Sequence, residues 1–318
     1  MSSPVKTGLP SAIFLMGPTA SGKTAATIAL YQQLPVEIIS VDSALVYRGM
    51  DIGTAKPDAE TIRQAPHHLI DLITPLEQYS AAQFVKDALS LMQEATAKGR
   101  IPVLVGGTML YFNALQHGLS ELPEADQNVR SEIEKEAERV GWPAMHAQLA
   151  SIDPPVAAKI QSTDSQRIER ALEVYRISGQ TMSALRAQSS KPELPFNILK
   201  IGLVPSDRAV LHQRIAERFQ LMLKQGFVEE VQSLLRQYPQ LKAESPSMRC
   251  VGYRQALAYL NGEIDLETLR DQGVFATRQL AKRQLTWLRG MGDIEIVDCL
   301  KVDWLNSVLA LIRQHTKK

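Results

Sequence analysis

Cysteine is scarce in this chain of 318 residues, which contains only Cys250 and Cys299. Two cysteines are too few for a disulfide framework or a four-ligand zinc site, and they suit a reducing compartment. No apolar run approaches the roughly 18 residues that a membrane-spanning helix needs. The opening segment M-S-S-P-V-K-T-G-L-P likewise has no apolar core of signal-peptide length. We therefore expect a cytosolic (cytoplasmic) protein with no membrane partner.

An excess of charge of either sign is also missing. The chain has 35 Lys and Arg against 34 Asp and Glu, a net charge of +1, and 45% of its residues are hydrophobic. This composition is typical of a soluble globular protein and gives no overall indication of a nucleic-acid partner. Any such signal must therefore be local. The length leaves room for one large core together with an inserted or appended domain.

The N-terminal part of the chain alternates short apolar runs with amphipathic helical patterns. The apolar runs predict strands at Ala12–Met16, Val36–Val41 and Ile101–Val105, with a further candidate strand at His68–Ile73. Helices are predicted at Lys23–Leu34, after Gly106-Gly107-Thr108, and from the capping box S-A-A-Q at Ser80 to about Lys98. Strand, helix and strand at this spacing predict a P-loop-type α/β fold, a parallel sheet flanked by helices on both faces.

The pattern changes between residues 119 and 195, where the sequence is charged, helical and punctuated by prolines. Strand character returns at Ile198–Val204. Long helical patterns then run to Arg289, followed by a last strand at 294–297 and a final helix near 303–314. The simplest interpretation is an α/β catalytic core of residues 1–118 and 196–318, with an all-helical domain of residues 119–195 inserted into it.

The segment after the first predicted strand fits the phosphate-binding pattern G-x-x-x-x-G-K-[S/T] at every fixed position. It consists of Gly17, Pro18, Thr19, Ala20, Ser21, Gly22, Lys23 and Thr24. It also lies between a predicted strand and a predicted helix, the context that this motif requires. Backbone N–H groups and the positive end of the helix bind phosphate oxygens there, Lys23 adds a point charge, and the Thr24 hydroxyl is a ligand for Mg²⁺. The alternative is a glycine-rich turn without a ligand.

One carboxylate stands out near this loop. In most phosphate-loop hydrolases and kinases a second apolar strand ends in an acid that helps to hold Mg²⁺, but Ile101–Val105 is followed by Gly-Gly-Thr. The strand Val36–Val41 is followed instead by Asp42. Because ligands of open parallel sheets bind beyond the carboxyl ends of the strands, Asp42 and Thr108 should both face the phosphate. Asp42 can be a Mg²⁺ ligand, a cap for the turn D-S-A, or a general base for a poor nucleophile such as an exocyclic amine.

Six blocks of the sequence resemble the bacterial tRNA dimethylallyltransferases, also called isopentenyltransferases. The blocks are G-P-T-A-S-G-K-T (17–24), I-S-V-D-S-A-L-V-Y-R-G-M-D-I-G-T-A-K-P (39–57), V-G-G-T-M-L-Y (105–111), Q-R-I-E-R-A-L-E-V-Y (166–175), R-C-V-G-Y-R-Q (249–255) and R-Q-L-A-K-R-Q-L-T-W-L-R (278–289). The resemblance covers nearly the whole chain in the expected order, with no departure within these blocks.

This resemblance implies transfer of a group at carbon. Members of the family transfer a dimethylallyl group from dimethylallyl diphosphate to N6 of adenosine 37, beside the anticodon of tRNAs that read codons beginning with U. The phosphate loop would then hold the diphosphate of an isoprenoid, with Lys23 and the cofactor Mg²⁺ on Thr24 stabilising the leaving group. By the same resemblance, Thr19 and Arg218 contact the diphosphate and Asp42 accepts the N6 proton. Without the resemblance, Arg218 would be read as a solvated charge on the helical face that it shares with Arg214.

Two local segments favour an RNA partner. Arg278, Lys282 and Arg289 form one stripe of a predicted helix, beside Arg283 and Trp287, and R-C-V-G-Y-R adds two arginines and Tyr253. Basic residues with an occasional aromatic suit phosphate contact and base stacking, although a charged helix face or a turn explains each segment alone. With the resemblance, the predicted tRNA contacts are Asp42, Ser43, Ala44, Leu45, Thr108, Arg130, Gln166, Arg167, Ile168, Glu169, Arg170, Arg249, Cys250, Val251, Gly252, Tyr253, Arg254, Lys282, Arg283 and Arg289. The inserted domain would grip the anticodon stem from outside.

Two alternatives belong to other classes. A nucleoside or nucleotide kinase shares the phosphate loop and would use Asp42 to activate a hydroxyl, but it explains neither the helical insertion nor the basic stripe. An RNA-binding switch would use its loop only to sense a nucleotide. We expect a monomer whose partners are the anticodon stem-loop of tRNA and, as small-molecule substrate, dimethylallyl diphosphate.

Overall fold

The computed structural model describes residues 8–118, 122–188 and 194–317. The chain forms two compact units, one made of residues 1–114 and 194–318 and the other of residues 115–193. We call them the α/β unit and the helical unit. The predicted start of the inserted domain, at residue 119, lies outside the described residues.

In the described residues, six strands form one sheet in the order β3-β2-β4-β1-β5-β6. The strands are β1 (Ser11–Met16), β2 (Val36–Val41), β3 (His67–His68), β4 (Ile101–Gly106), β5 (Asn197–Val204) and β6 (Ile294–Asp298). Every neighbouring pair is parallel. The predicted parallel sheet is therefore confirmed.

Helices surround this sheet and make up the helical unit. In the α/β unit they are α1 (Lys23–Gln33), α2 (Ala59–Gln64), α3 (Ala81–Ala97), α4 (Met109–His117, which runs on into the helical unit), α10 (Arg208–Lys224), α11 (Phe227–Gln237), α12 (Tyr253–Leu260), α13 (Leu266–Gly290) and α14 (Trp304–Thr316). In the helical unit they are α5 (Gln127–Val140), α6 (Trp142–Ile152), α7 (Pro154–Ala157), α8 (Ser165–Ser178) and α9 (Met182–Gln188).

Both faces of β1 are buried, which explains why its sequence is a continuous apolar run. Successive side chains of a strand point to opposite faces. Ile13 and Leu15 accordingly pack in one core with residues of α1 and α14. Phe14 points the other way, and its ring lies 5.1 Å from that of Phe112 in α4. The central strand is thereby fixed from both sides, and the loop that follows it starts from a rigid position.

The capping box predicted at the start of α3 is present. Ser80 Oγ accepts a hydrogen bond from the Gln83 N–H (3.2 Å), and Gln83 Oε1 accepts one from the Ser80 N–H (2.7 Å). Two of the N–H groups that every helix start leaves unpaired are satisfied in this way.

The third strand is much shorter than predicted. Only His67 and His68 pair with β2, so the strand expected over His68–Ile73 is wrong beyond its first residue. Leu69 and Asp71 have φ values of 62° and 54°, which lie in the left-handed region and cannot continue an extended strand. The chain turns there instead, and the Leu72 and Ile73 N–H groups donate to Val46 O.

The helical unit has its own core. Ile133, Leu149, Ile168 and Leu172 are fully buried in one cluster contributed by α5, α6 and α8. Across residues 122–188 the structure contains helices and no strand. No helix among the described residues of either unit has both the length and the apolar character needed to cross a bilayer.

Candidate active site

A cavity of about 430 Å³ opens at the carboxyl edge of the sheet, where β2, β4 and β1 lie side by side. Its walls come from the loop after β1, from residues after β2 and β4, from α10 and α13, and from Cys250 and Val251. All of these belong to the α/β unit. Parallel sheets bind ligands at this edge, and the volume suits a small molecule.

The predicted phosphate loop lines this cavity from Thr19 to Thr24. Gly22 has φ 88°, in the left-handed region that glycine adopts without strain. Among the described residues no side chain caps the start of α1, so the first N–H groups of the helix are left for an anion. Ala20 has φ 63°, a strained conformation for a residue with a Cβ, and such strain clusters at functional sites.

The ammonium group of Lys23 lies over the loop. Its Nζ donates to Gly17 O (3.0 Å) and to Pro18 O (2.7 Å). Burial lowers the pKa of Lys23 to about 8; the Asp42 carboxylate opposes this shift and the Arg218 guanidinium adds to it. A bound phosphate would stabilise the charged ammonium that burial disfavours, so this side chain is well placed to hold an anion.

Arg218 reaches the same loop from α10, although the two lie 199 positions apart in the sequence. One of its guanidinium nitrogens donates to Thr19 Oγ1 at 3.4 Å. Burial lowers the pKa of Arg218, and Asp42 partly opposes that shift. Arg214, one turn earlier on α10, also lines the cavity. The arginines that the sequence put on one helical face therefore both line the cavity.

Asp42 lines the cavity at the end of β2. Its Oδ1 accepts a hydrogen bond from the Ala44 N–H at 2.9 Å, so the carboxylate does cap the turn D-S-A. Burial raises the pKa of Asp42, and this effect outweighs the lowering by the Ala44 N–H and by Lys23. A carboxylate with a raised pKa is a better proton acceptor, so the cap is compatible with a role as general base.

Thr108 follows β4 and lies next to this turn. Its Oγ1 accepts a hydrogen bond from the Ser43 N–H at 3.0 Å. The turns after β2 and β4 are thereby joined by a direct bond. Asp42 lines the cavity but Thr108 is not among its lining residues, so the expectation that Thr108 faces the phosphate stays a prediction.

Gln284 and His67 are among the polar side chains of the cavity that sequence analysis did not identify. Gln284 of α13 is 7% exposed and hydrogen-bonds to Thr19 and Gly107. His67 lines the cavity from β3, where its Nδ1 lies 2.6 Å from Ala65 O and burial lowers the pKa of its ring. No local pattern pointed to either residue, because both are brought to the cavity by the tertiary fold.

Thr24 is the candidate ligand for Mg²⁺. Its side chain is exposed at the start of α1 and lines the cavity together with Asp42. A hydroxyl is a hard oxygen donor that suits Mg²⁺, which usually completes its coordination with water and substrate phosphates. No group of three His, Cys, Asp or Glu side chains in the described residues could hold a metal alone. The residues therefore fit an ion that is bound jointly with a diphosphate.

The segment R-C-V-G-Y-R is divided between the cavity and the core. Cys250 and Val251 line the cavity, and burial raises the pKa of the Cys250 thiol to about 12. Arg249 and Arg254 are exposed. Tyr253 is fully buried, and its hydroxyl donates to Glu230 Oε1 at 2.5 Å. The base-stacking role expected of Tyr253 is therefore wrong in this arrangement, because its ring has no exposed face.

Helix α13 presents most of its basic residues to solvent. Lys282, Arg283 and Arg289 are exposed, and Trp287 is 44% exposed. Arg278 departs from the predicted stripe, because it is half-buried and its guanidinium donates to His212 O at 3.4 Å. Of the predicted basic residues of this helix, Lys282, Arg283 and Arg289 are thus accessible to RNA, beside Trp287.

In the helical unit, two predicted tRNA contacts form an internal network. Arg130 and Arg170 both donate to Glu173, which is fully buried, at 2.9 and 2.5 Å. Ile168 is also fully buried, so its side chain cannot touch RNA. Gln166 and Arg167 are exposed. Contact between this unit and tRNA stays a prediction, and its exposed candidates are these last two residues.

Comparison with known proteins gives consistent results. A family model described as IPP transferase matches residues 45–291. A tRNA dimethylallyltransferase of Methylobacillus flagellatus is 63% identical over 294 residues, which cover 92% of this chain and 93% of the relative. One of Thiobacillus denitrificans is 58% identical over 308 residues, which cover 97% of this chain and 98% of the relative.

Solved structures agree with the sequence comparison. The crystal structure of the full-length tRNA isopentenylpyrophosphate transferase from Bacillus halodurans has a TM-score of 0.69 at 36% identity, covering 96% of this chain and 98% of its own. A eukaryotic dimethylallyltransferase acting on tRNA has a TM-score of 0.78 at 26% identity, covering 95% of this chain and 78% of its own.

Proposed function

The chain belongs to the IPP transferase family, and we propose that it transfers a dimethylallyl group from dimethylallyl diphosphate to N6 of adenosine 37 in tRNAs that read codons beginning with U. The products are N6-isopentenyladenosine and diphosphate. The observation that carries this proposal is the meeting of Lys23, Arg218 and Asp42 at one cavity behind a phosphate loop. Two cations suit a diphosphate, and the carboxylate suits the proton of an amine.

The donor would be held by its diphosphate. Loop N–H groups, Lys23, the Thr19 hydroxyl and Arg218 surround the place where the anion would bind. As the bond between C1 of the prenyl group and the diphosphate oxygen breaks, its electron pair stays with the diphosphate. The developing negative charge is stabilised by cations that are already in position. Mg²⁺ bound at Thr24 would add further positive charge to the leaving group.

The acceptor would be activated by Asp42. The lone pair of an adenine N6 is delocalised into the ring, so the amine is a poor nucleophile until it loses a proton. As N6 forms its bond to C1, the Asp42 carboxylate takes that proton. A positioned base typically contributes about 10²–10⁴-fold to the rate of such a step. Swinging adenosine 37 out of a single-stranded loop costs only a few kcal/mol.

A transfer assay tests this reaction. The protein is incubated with Mg²⁺, an unmodified tRNA carrying A36-A37-A38, and either dimethylallyl diphosphate or ATP. The tRNA is then digested and the masses of its nucleosides are determined by mass spectrometry. We expect prenylated adenosine only with the isoprenoid donor, and none when guanosine replaces adenosine 37. ADP formation without prenylation would favour the kinase, and RNA binding with no transfer from either donor would favour the nucleotide-sensing switch.

We further propose that the protein acts as a cytosolic monomer. The support is that a single chain supplies Lys23, Arg218 and Asp42 to one cavity, so the proposed reaction needs no residue from a second copy. Light scattering of the protein with and without tRNA should give the mass of one chain and of a one-to-one complex. A mass of two chains in both samples would contradict the monomer.

A further inference from the structure

Gln284 lies in the middle of α13, far in the sequence from the loop that it touches. We infer that Gln284 is a positioning residue for the transfer reaction: its side-chain amide holds the donor's phosphate loop and the turn after β4 in one fixed geometry. This inference rests on the proposed function, because it assigns a role within the same site.

The two hydrogen bonds of Gln284 are complementary. Its Oε1 accepts from the Thr19 N–H at 3.0 Å, and its Nε2 donates to Gly107 O at 3.0 Å. A backbone N–H can only donate and a carbonyl can only accept, so the orientation of the amide is fixed by its partners. The side chain is 7% exposed. Loss of its bond to Gly107 would leave a buried carbonyl unpaired, and loss of its bond to Thr19 would free a partly buried N–H.

The close approach of Gln284 also explains why residue 107 is a glycine. A Cβ added to Gly107 would lie 2.2 Å from Gln284 Nε2, which is far inside contact distance. The second glycine of V-G-G-T therefore leaves room for the Gln284 amide, which a larger residue at this position would displace. The amide and the turn fit each other closely, so the turn cannot move without disturbing the bond.

These contacts link the donor side of the site to the base side. Thr19, whose N–H is bound to Gln284, has its hydroxyl 3.4 Å from the Arg218 guanidinium. The residue after Gly107 is Thr108, which accepts a hydrogen bond from Ser43, the neighbour of Asp42. One amide thus sets the distance between the loop that would hold the diphosphate and the turn that carries the proposed base.

Without this amide, we expect the phosphate loop and the turn that carries Asp42 to lose their fixed relative position. The loop would no longer be held at Thr19, so diphosphate binding should weaken. The attacking N6 and the donor C1 would also be less well aligned, and a displacement of about 1 Å can cost about 10²-fold in rate. Because Gln284 is 7% exposed and lines the cavity, away from the exposed basic residues of α13, its loss should leave tRNA affinity nearly unchanged.

Two replacements separate hydrogen bonding from packing. Gln284→Met keeps a similar volume and loses both bonds. Gln284→Glu keeps an acceptor for the Thr19 N–H. When its carboxyl group is protonated, the O–H can also donate to Gly107 O, and the side chain then reproduces both hydrogen bonds of the amide. The ionised carboxylate has no donor and cannot form the bond to Gly107 O. Burial favours the protonated form, so Gln284→Glu should regain function as the pH falls. The matched control is Gln279→Met, the same change at a partly exposed position of α13.

The measurements are calorimetric binding of inorganic diphosphate, and kcat and donor KM for prenyl transfer, from pH 6 to pH 9. Other ionisable or charged groups lining the cavity are Lys23, Asp42, His67, Cys250, Arg214 and Arg218, so each variant is expressed as a ratio to the wild-type protein at the same pH. We expect Gln284→Met to weaken diphosphate binding by about tenfold and to lower kcat by about 10²-fold at every pH. For Gln284→Glu the ratio should rise as the pH falls.

The inference is overturned if Gln284→Met binds diphosphate and turns over like Gln279→Met. It is also overturned if the ratio for Gln284→Glu is the same at every pH, because the loss would then reflect packing alone. Should Gln284→Met not fold, the pH series of Gln284→Glu decides the question by itself. Absence of prenyl transfer in the wild-type protein would refute the proposed function, while diphosphate binding by the variants would still test the role of Gln284.

Discussion

At the scale of single residues, burial sets the chemistry of the cavity. It raises the pKa of Asp42 and lowers those of Lys23 and Arg218. Each group is therefore held in surroundings that disfavour its charge until a partner arrives. For Lys23 and Arg218 the natural partner is an anion, and for Asp42 it is a proton.

Replacing Asp42 should therefore affect chemistry more than binding. We expect Asp42→Asn to lower the rate of transfer by about 10²–10⁴-fold, because the amide keeps the shape of the turn but cannot accept the N6 proton. Single-turnover transfer measures the rate, and filter binding measures tRNA affinity. In the wild-type protein the rate should also fall as the pH drops through the raised pKa of Asp42. Equal rates for both proteins would remove Asp42 as the base.

Lys23 should make diphosphate binding sensitive to alkaline pH. Its pKa in the free protein is lowered to about 8, so the ammonium is charged below this value and loses its proton as the pH rises through it. Affinity for inorganic diphosphate should then decrease by up to tenfold per pH unit above about pH 8. Lys23→Arg keeps its charge throughout this range and should not show the decrease. Ionisation of diphosphate itself affects both proteins alike, so parallel curves would contradict the role of Lys23.

Site residues could be predicted from the sequence where the pattern that marks them is short and continuous along the chain. The phosphate loop and Asp42 each follow an apolar strand, so eight consecutive residues and one strand end were enough to find them. Gln284 could not be found, because its bond to Thr19 spans 265 positions. Tyr253 was misjudged for a related reason. Its burial depends on Glu230 and on Phe227, whose ring lies 5.1 Å away, and the motif R-C-V-G-Y-R contains neither partner.

At the scale of elements, α13 has two faces with different roles. One face carries Gln284 toward the cavity, and the other presents Lys282, Arg283 and Arg289 to solvent. A helix with these two faces can hold the phosphate loop from one side and offer charge to RNA from the other.

Removing a basic residue from α13 should reduce the salt dependence of tRNA binding. For Lys282→Ala or Arg283→Ala we expect the slope of log K against log salt to fall by up to about one unit, because one fewer counterion is released. Lys98→Ala is the control, since Lys98 is exposed just before β4, at the opposite edge of the sheet. Slopes equal to that of the wild-type protein would mean that these side chains face solvent in the complex.

In the helical unit, Glu173 should contribute mainly to stability. Burial alone would raise its pKa, but hydrogen bonds from Arg130 and Arg170 outweigh burial, and the net shift is downward. A lowered pKa in the folded state means that the stabilisation is present at neutral pH and is lost as the pH falls through the folded value. Effects of Arg130 or Arg170 replacements on tRNA binding must therefore be separated from unfolding of this unit.

Glu173→Gln tests that role. We expect it to destabilise the helical unit by on the order of 2 kcal/mol at pH 7, because two arginines lose their buried partner. Hydrogen exchange of α5 and α8 amides localises the effect to this unit. Glu136→Gln, which breaks the more exposed pair with Arg176, should cost less than about 1 kcal/mol. Equal losses in the two variants would contradict a special role for Glu173.

The elements themselves were mostly predictable, because their patterns are periodic and their caps are local. The capping box at Ser80 and the continuous apolar strands are examples. The short β3 was not predictable, since a positive φ is rare for a leucine such as Leu69 and uncommon even for Asp71, although aspartate adopts it more often than most residues. Tertiary hydrogen bonds to Val46 hold that turn.

At the scale of the whole molecule, one chain combines a phosphate loop, which is usually associated with nucleotide chemistry, with a helix whose exposed basic residues suit RNA. A phosphate loop on a parallel sheet normally serves the transfer or hydrolysis of a terminal phosphate. Here the same loop stands beside Asp42 in a chain of the IPP transferase family. The central claim is that the loop holds a leaving group, so that the bond broken lies between carbon and oxygen.

An isotope experiment tests this claim most directly. Dimethylallyl diphosphate is labelled with ¹⁸O at the oxygen that bridges C1 and the first phosphorus, and it is incubated with the protein, Mg²⁺ and tRNA until the adenosine is prenylated. The account predicts that all of the label is found in the released diphosphate, in an amount equal to the prenylated adenosine formed. Label recovered in dimethylallyl alcohol, or release of monophosphate in place of diphosphate, would show that a phosphorus–oxygen bond is broken and would contradict the account.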